Sequence, residues 1–168
     1  MNHRRATLIT TAILAAATLG TATGSAHAEE RVCTGTLHAI TVDNLRVPDG
    51  ETCTLKGTRV KGTIKVESGA TLTATTVKVI GNVQAENHRS VTVTTSRVGG
   101  SIQIVQGGGS ELTSNQVKGD VQLFKNRGTQ TVTSNRIDGN LQCKENRPAP
   151  TGSGNVVGGN KEDQCSGL

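Results

Sequence analysis

The chain has 168 residues, a formal net charge of +5 and a single aromatic residue, Phe124. With no Trp and no Tyr, an ordinary globular core built on large aromatic side chains is not expected, and stacked aliphatic residues must take its place. The basic excess is mild and contains no dense run of Lys or Arg, which argues against a nucleic-acid binder.

Residues 1–28 read as a secretory signal: a basic start with Arg4 and Arg5, an apolar stretch from Leu8 to Leu19, and a small-residue exit at Ala26-His27-Ala28. The remaining 140 residues suffice for one domain and carry a formal charge of +3. No second apolar stretch of about 20 residues follows, and Gln164–Leu168 has no hydrophobic anchor tail. The expectation is a secreted protein with no transmembrane anchoring.

Residues 29–42 are expected to form an N-terminal cap and residues 159–168 a C-terminal one. The four cysteines, Cys33, Cys53, Cys143 and Cys165, fall as one pair near each end, with none between. Of the possible connectivities, Cys33 to Cys53 and Cys143 to Cys165 is the one that staples each terminal coil to its cap. No Cys-x-x-Cys and no neighbouring His pair supplies metal spacing, so neither a metal nor a cofactor is expected.

Through the coils expected over residues 43–158 and into the first residue of the C-terminal cap, a glycine returns at 62, 81, 100, 119, 139 and 159, a period of 19 to 20 residues. Such self-similarity signals a solenoid in which each coil needs its neighbours to bury its apolar face. Two residues before the glycine stand Val60, Val79, Val98, Val117, Ile137 and Val157; two after stand Ile64, Val83, Ile102, Val121 and Leu141. Spacing by two puts these side chains on one face of a short strand.

A second apolar column, Leu55, Ala74, Val93, Leu112 and Val132, has the wrong parity to continue that strand, so each coil carries at least two. Between them lie corners. Asn115, Asn135 and Asn155 mark one, and Gly69, Gly107, Asn126 and Asn146 the other, residue types that tolerate a left-handed backbone, and the stacked asparagine amides can hydrogen-bond from coil to coil.

The repeated Val-x-Gly-[Asn/Asp]-[Val/Ile/Leu]-Gln and Ser-Asn-x-[Val/Ile] motifs resemble the right-handed parallel β-helices of the pectin-lyase-like family, over about residues 43–160. The ending, Gly139-Asn-Leu-Gln-Cys-Lys-Glu-Asn146 and Asn160-Lys-Glu-Asp-Gln-Cys165, is similar to that of some secreted actinobacterial proteins of unassigned role. The expected fold is all-β: a single-stranded right-handed parallel β-helix of about six coils, disulfide-capped at both ends.

The family's best-known members cleave acidic polysaccharides with clustered carboxylates. The nearest analogue here is Glu67 and Glu86, five residues after successive glycines, with Lys65 near. Against catalysis stand the absence of an Asp cluster for calcium, of a nucleophile with His support, and of a long inserted loop. No catalytic residue is therefore assigned.

The outward columns offer binding surfaces instead. Thr73, Thr75, Thr92, Thr94, Thr131 and Thr133 belong to two threonine files, which resemble the ice-binding face of β-helical antifreeze proteins, though Lys56 and Glu111 interrupt them. Arg59, Lys78, Arg97 and Arg136 share the column three before the glycine, joined by Lys61 and Lys118. Stacked like charges repel unless an anion lies against them, so cell-wall or acidic polysaccharide is the expected partner. The sequence thus points to a secreted, non-catalytic structural or surface-binding protein, with a polysaccharide lyase or hydrolase and an ice-binding protein as alternatives. Self-assembly through open ends, similar to bactofilins, is a further one.

Overall fold

The structure, a computed structural model, describes residues 29–168; the expected signal segment 1–28 lies outside the described residues. The described chain winds into a parallel β-solenoid of about seven turns, with no helix. Each complete turn contributes one strand to each of three sheets.

The first sheet has eight strands, from Glu30–Val32 through Asn44–Val47, Ile64–Val66, Val83–Glu86, Ile102–Val105, Val121–Phe124 and Leu141–Lys144 to Lys161–Asp163. The second has six, Thr36–Leu37, Thr52–Lys56, Thr71–Thr75, Ser90–Thr94, Gly109–Thr113 and Gln130–Thr133, extended by a bridge from Thr131 to Thr151. The third has seven strands of two residues each, such as Arg59–Val60, Lys78–Val79 and Arg97–Val98. All pairings are parallel and join each turn to the next, so about seven turns form where about six were expected. Both terminal segments pair with the body, the first without a marker glycine and the last after Gly159: Arg31 lies opposite Leu45, and Leu141 opposite Lys161.

The core is the stack of inward residues from all three sheets. Leu45, Leu55, Ile64, Leu72, Ile102, Ile104, Leu112, Leu123, Ile137 and Leu141 are all buried, and the short third strand contributes one inward residue per turn, Val60, Val79, Val98, Val117 and Ile137. Each such side chain is worth about 1.5–3 kcal/mol on burial, supplied without aromatics. Sequence spacing merged the residues two before and two after the glycine into one strand. The chain in fact turns a corner at the glycine and starts a new sheet there.

That corner explains the glycine. The residue after it presents a side-chain oxygen to the backbone N–H of its counterpart one turn on. Thr63 donates to Asn44 Oδ1, Asn82 to Thr63 Oγ1, Ser101 to Asn82 Oδ1, Asp120 to Ser101 Oγ, Asn140 to Asp120 Oδ1 and Asn160 to Asn140 Oδ1, at 2.7–3.3 Å. A Cβ on Gly62, Gly100, Gly119, Gly139 or Gly159 would collide with that oxygen of the preceding turn. None of these glycines has a positive φ. They are needed for close approach and not for conformational freedom.

The asparagines stack and hydrogen-bond from turn to turn as expected, but they are not the left-handed residues of their corners. Positive φ falls one residue earlier, on Ser114 and Ser134 at one corner and Lys125 and Glu145 at the other, as it does on Thr95 before Ser96 and Gln106 before Gly107 in the same columns. Asn115, Asn126, Asn135, Asn146 and Asn155 instead turn inward and are buried. Asn126 Nδ2 donates to Ile104 O at 2.9 Å and to Asn146 Oδ1 at 3.0 Å, and Asn115 does the same with Val93 O and Asn135 Oδ1. Buried corners leave backbone groups without strand partners, and a stacked amide satisfies a donor and an acceptor on successive turns.

Both expected disulfides form, Cys33–Cys53 and Cys143–Cys165, with no free cysteine among the described residues. They close segments of 20 and 22 residues, for which loop closure alone predicts about 3 kcal/mol each. Reduction should lower the urea midpoint, and an unchanged unfolding curve in reductant would count against a capping role. Gly100→Ala should cost about 1–3 kcal/mol by overpacking, whereas Gly35→Ala, with open space around its Cβ position, should stay within about 0.5 kcal/mol. Equal midpoints for the two variants would contradict the close-approach role.

Candidate functional site

Three outward surfaces hold the sequence-derived candidates. On the first sheet a groove of about 570 Å³ brings Glu67 and Glu86 together with Lys65, Gln84 and Gln103. Glu67 receives Arg46 Nη1 and Lys65 Nζ, both at 3.2 Å, and Arg46 also bonds Glu30 at 2.8 Å. The Lys65 ammonium, seconded by the Arg46 guanidinium, holds the Glu67 carboxyl below the usual carboxylate range. A general acid needs the opposite shift, and a general base loses basicity with this one.

Above this groove the outward glutamines are already engaged. Gln84 Nε2 donates to Gln103, Gln103 to Gln122, Gln122 to Gln142, and Gln142 to the carboxylate of Glu162, at 2.8–3.0 Å. Glu162, which can only accept, closes the ladder.

On the second sheet the threonine files are in register. Thr54, Thr73, Thr92, Glu111 and Thr131 stack as one, with Lys56, Thr75, Thr94, Thr113 and Thr133 beside them. Thr75 and Thr94 share a hydrogen bond of 3.2 Å between their hydroxyls. A third file, Thr52, Thr71 and Ser90, was not singled out from sequence and ends at Gly109.

The third sheet carries the cations. Arg59, Lys78, Arg97, Gln116 and Arg136 stack turn upon turn. Lys78, Arg97, Gln116 and Arg136 line a groove of about 510 Å³ with Ile80, Gly99, Lys118 and Asp138. Arg97 Nε donates to Gln116 Oε1 at 3.2 Å. Arg136 approaches Asp138 at 3.9 Å, while Lys61, further along, is neutralised by Asp43 at 2.8 Å. Lys61 holds the Asp43 carboxyl below its ordinary value.

Of the buried polar residues, sequence reading singled out the corner asparagines and missed Gln130 and His88. Gln130 is fully buried, accepts from the Ser110 hydroxyl, and donates to Gly108 O at 2.7 Å and Gly128 O at 2.9 Å. His88 is 3% exposed, and neither ring nitrogen has a hydrogen-bond partner. It stands in the corner column otherwise held by Gly69, Gly107, Asn126 and Asn146, and its ring fills the space that Gly107, lacking a side chain, leaves open. The seven-residue offset from Gly81 was the available signal.

Among the described residues no group of His, Cys, Asp and Glu is placed to hold a metal ion, and no helix is long and apolar enough to cross a membrane. The two disulfides fit an oxidising compartment. Fold and surfaces together define a disulfide-capped parallel β-solenoid. Compared with protein-family profiles, curated proteins and solved structures, the chain matches none.

Burial lowers the His88 pKa from its ordinary 6.5, with the Gly109 backbone opposing weakly. The unfolded chain therefore takes up a proton near pH 6.5 that the folded chain resists. The stability from neutral His88 is complete above that pH and declines as pH falls through 6.5 towards the lowered folded value. His88→Asn, which installs the residue used at 126 and 146, should flatten stability between about pH 7 and 5. Urea midpoints measured across that range check this, and an unchanged slope in the variant would refute it.

Proposed function

We propose that the protein is a secreted, non-catalytic binding protein that meets an extracellular surface or wall polymer through its regular faces. The observation that carries this reading is the contrast between its surfaces and its interior. Outward side chains repeat in register over the turns of three sheets, while pairing offsets of 14 residues at the first turn and 18 to 20 thereafter leave little room for an insertion between strands. Solenoid proteins commonly carry their sites on per-repeat insertions. The only paired carboxylates suggested from sequence include one, Glu67, that two cations keep ionised.

Secretion is supported by the leader-like segment 1–28 and by both disulfides. The right-handed pectin-lyase-like likeness rests on the repeated Val-x-Gly and Ser-Asn motifs and contributes scaffold alone to this reading. End-to-end assembly is disfavoured by charge. Arg31 and Lys161 occupy the same core-facing column at opposite ends, so head-to-tail stacking would bring two cations together.

A second reading, ice binding, is favoured by the register of the threonine files over successive turns. Thermal hysteresis by the protein, lost in a Thr73→Lys, Thr92→Lys variant, would establish it in place of the first.

The deciding experiment incubates the oxidised protein with insoluble cell walls, chitin and cellulose and records both protein pelleted and new saccharide ends released. Pelleting without release is expected. Release of new ends that disappears in Glu86→Gln would replace the binding role with an enzymatic one.

A further inference from the structure

The cations of this chain are treated in two ways. On the first sheet Arg46 and Lys65 are neutralised by Glu30 and Glu67, and on the third sheet Lys61 and Arg136 have Asp43 and Asp138. Arg59, Lys78, Arg97 and Lys118, by contrast, form no ion pair among the described residues. Lys78, Arg97 and Lys118 line the groove on the third sheet, and Arg59 stands one turn before Lys78 in the same column.

Successive strands in a sheet are about 4.8 Å apart. Arg59, Lys78 and Arg97 follow one another without a break. Like charges stacked on successive turns repel, and no acid on this column offsets them. Gln116 then relieves the column, accepting from Arg97 Nε and leaving the two terminal nitrogens of the guanidinium without a partner among the described residues.

The geometry of the groove restricts what fits. One wall is the column Lys78, Arg97, Gln116 and Arg136; the other carries Ile80, Lys118 and Asp138, with Gly99 offering no side chain at all. The walls are two residues apart along a strand, about 6.7 Å, which suits a single chain and not a duplex. Ile80 is 45% exposed and gives the groove an apolar contact. There is no aromatic platform on this face, which disfavours single-stranded nucleic acid. From Lys78 to Arg136 the cations span three strand steps, about 14 Å, along the axis.

We infer that this face binds an extended, unbranched, single-chain polyanion laid along the solenoid axis, with its acidic groups against Lys78, Arg97, Lys118 and Arg136. The inference rests on the reading of the protein as a binding module and names its face and its ligand chemistry. Carboxylate and phosphate chains share that chemistry, because a guanidinium column meets either. Asp138 is the one acid on the groove and tempers the charge at its Arg136 end.

The test measures binding of the full, oxidised chain to alginate, inorganic polyphosphate and neutral dextran at about 50 and about 200 mM salt, the range over which counterion release is read. Binding to alginate, to polyphosphate or to both is expected, with a log–log salt slope of about −3 for four contacts, and none to dextran. Which polymer binds assigns the carboxylate or the phosphate source.

The double variant Lys78→Gln, Arg97→Gln should weaken binding about tenfold or more and reduce the slope by about 1.5. The double variant Lys125→Gln, Lys144→Gln removes the same charge elsewhere and should stay within about twofold of the parent. Both variants are checked for an unchanged melting temperature. Equal losses in the two variants, salt-independent binding, or dextran binding as strong as alginate would overturn the inference. Failure to bind either polyanion, while pelleting on insoluble walls persists, overturns this face and leaves the binding-module reading standing; failure of both removes the two together.

Discussion

Every feature of this molecule depends on one constraint: the backbone N–H and C=O groups of a turn are satisfied by the turns above and below it. A parallel solenoid has no local ladder to fall back on, so successive turns must keep register or leave buried polar groups unpaired. The chain obeys this while its turn length changes. Ser90 lies 19 residues before its partner Gly109, and Ser110 lies 20 before Gln130. The extra residue is absorbed at the corner before Gln130, where Gly128 passes close to the backbone of Gly108 and Gly109, and the strands on either side stay aligned.

The same constraint makes the two ends the weak points, because the outermost strands have partners on one side only. Several devices meet there. Arg31 and Lys161 replace aliphatic residues in a core column that elsewhere holds Leu45, Ile64, Val83, Ile102, Val121 and Leu141. The two disulfides tie the terminal turns to the body. Glu162 and Gln164 end the glutamine and asparagine ladders with acceptors, Gln164 Oε1 receiving the backbone N–H of Asn146 at 2.8 Å. Together they finish a rod that could otherwise continue growing.

How much of this was legible in the chain follows from what repeats. The solenoid, its two apolar columns and the outward threonine and arginine columns recur from turn to turn, so alignment on the glycine exposes them, and the disulfide pairing is legible because the cysteines fall only at the two ends. The third sheet was hidden because its strands are two residues long and contribute one inward side chain each, too little to show a period of their own. The role of the glycine was hidden for a related reason. Its partner is a side chain one turn away, such as Asn82 behind Gly100, and intra-turn spacing does not reveal it. His88 and Gln130 escaped because each occurs once in its column.

Columns of identical residues also separate by chemistry. Asn and Gln carry both a donor and an acceptor, so a stack of them can close on itself, as Gln84 through Gln142 and Asn115 through Asn155 do. Threonine hydroxyls can do so in part, as Thr75 and Thr94 show. Lys and Arg are donors only and carry like charge, so no spacing lets a stack of them satisfy itself. A cationic column must borrow acceptors from outside it, and this chain supplies them to Arg46, Lys61, Lys65 and Arg136 through acidic neighbours. In the central turns the supply stops at Gln116. Among the three faces, this is the one whose own side chains leave the most hydrogen-bonding capacity and charge for something else to meet.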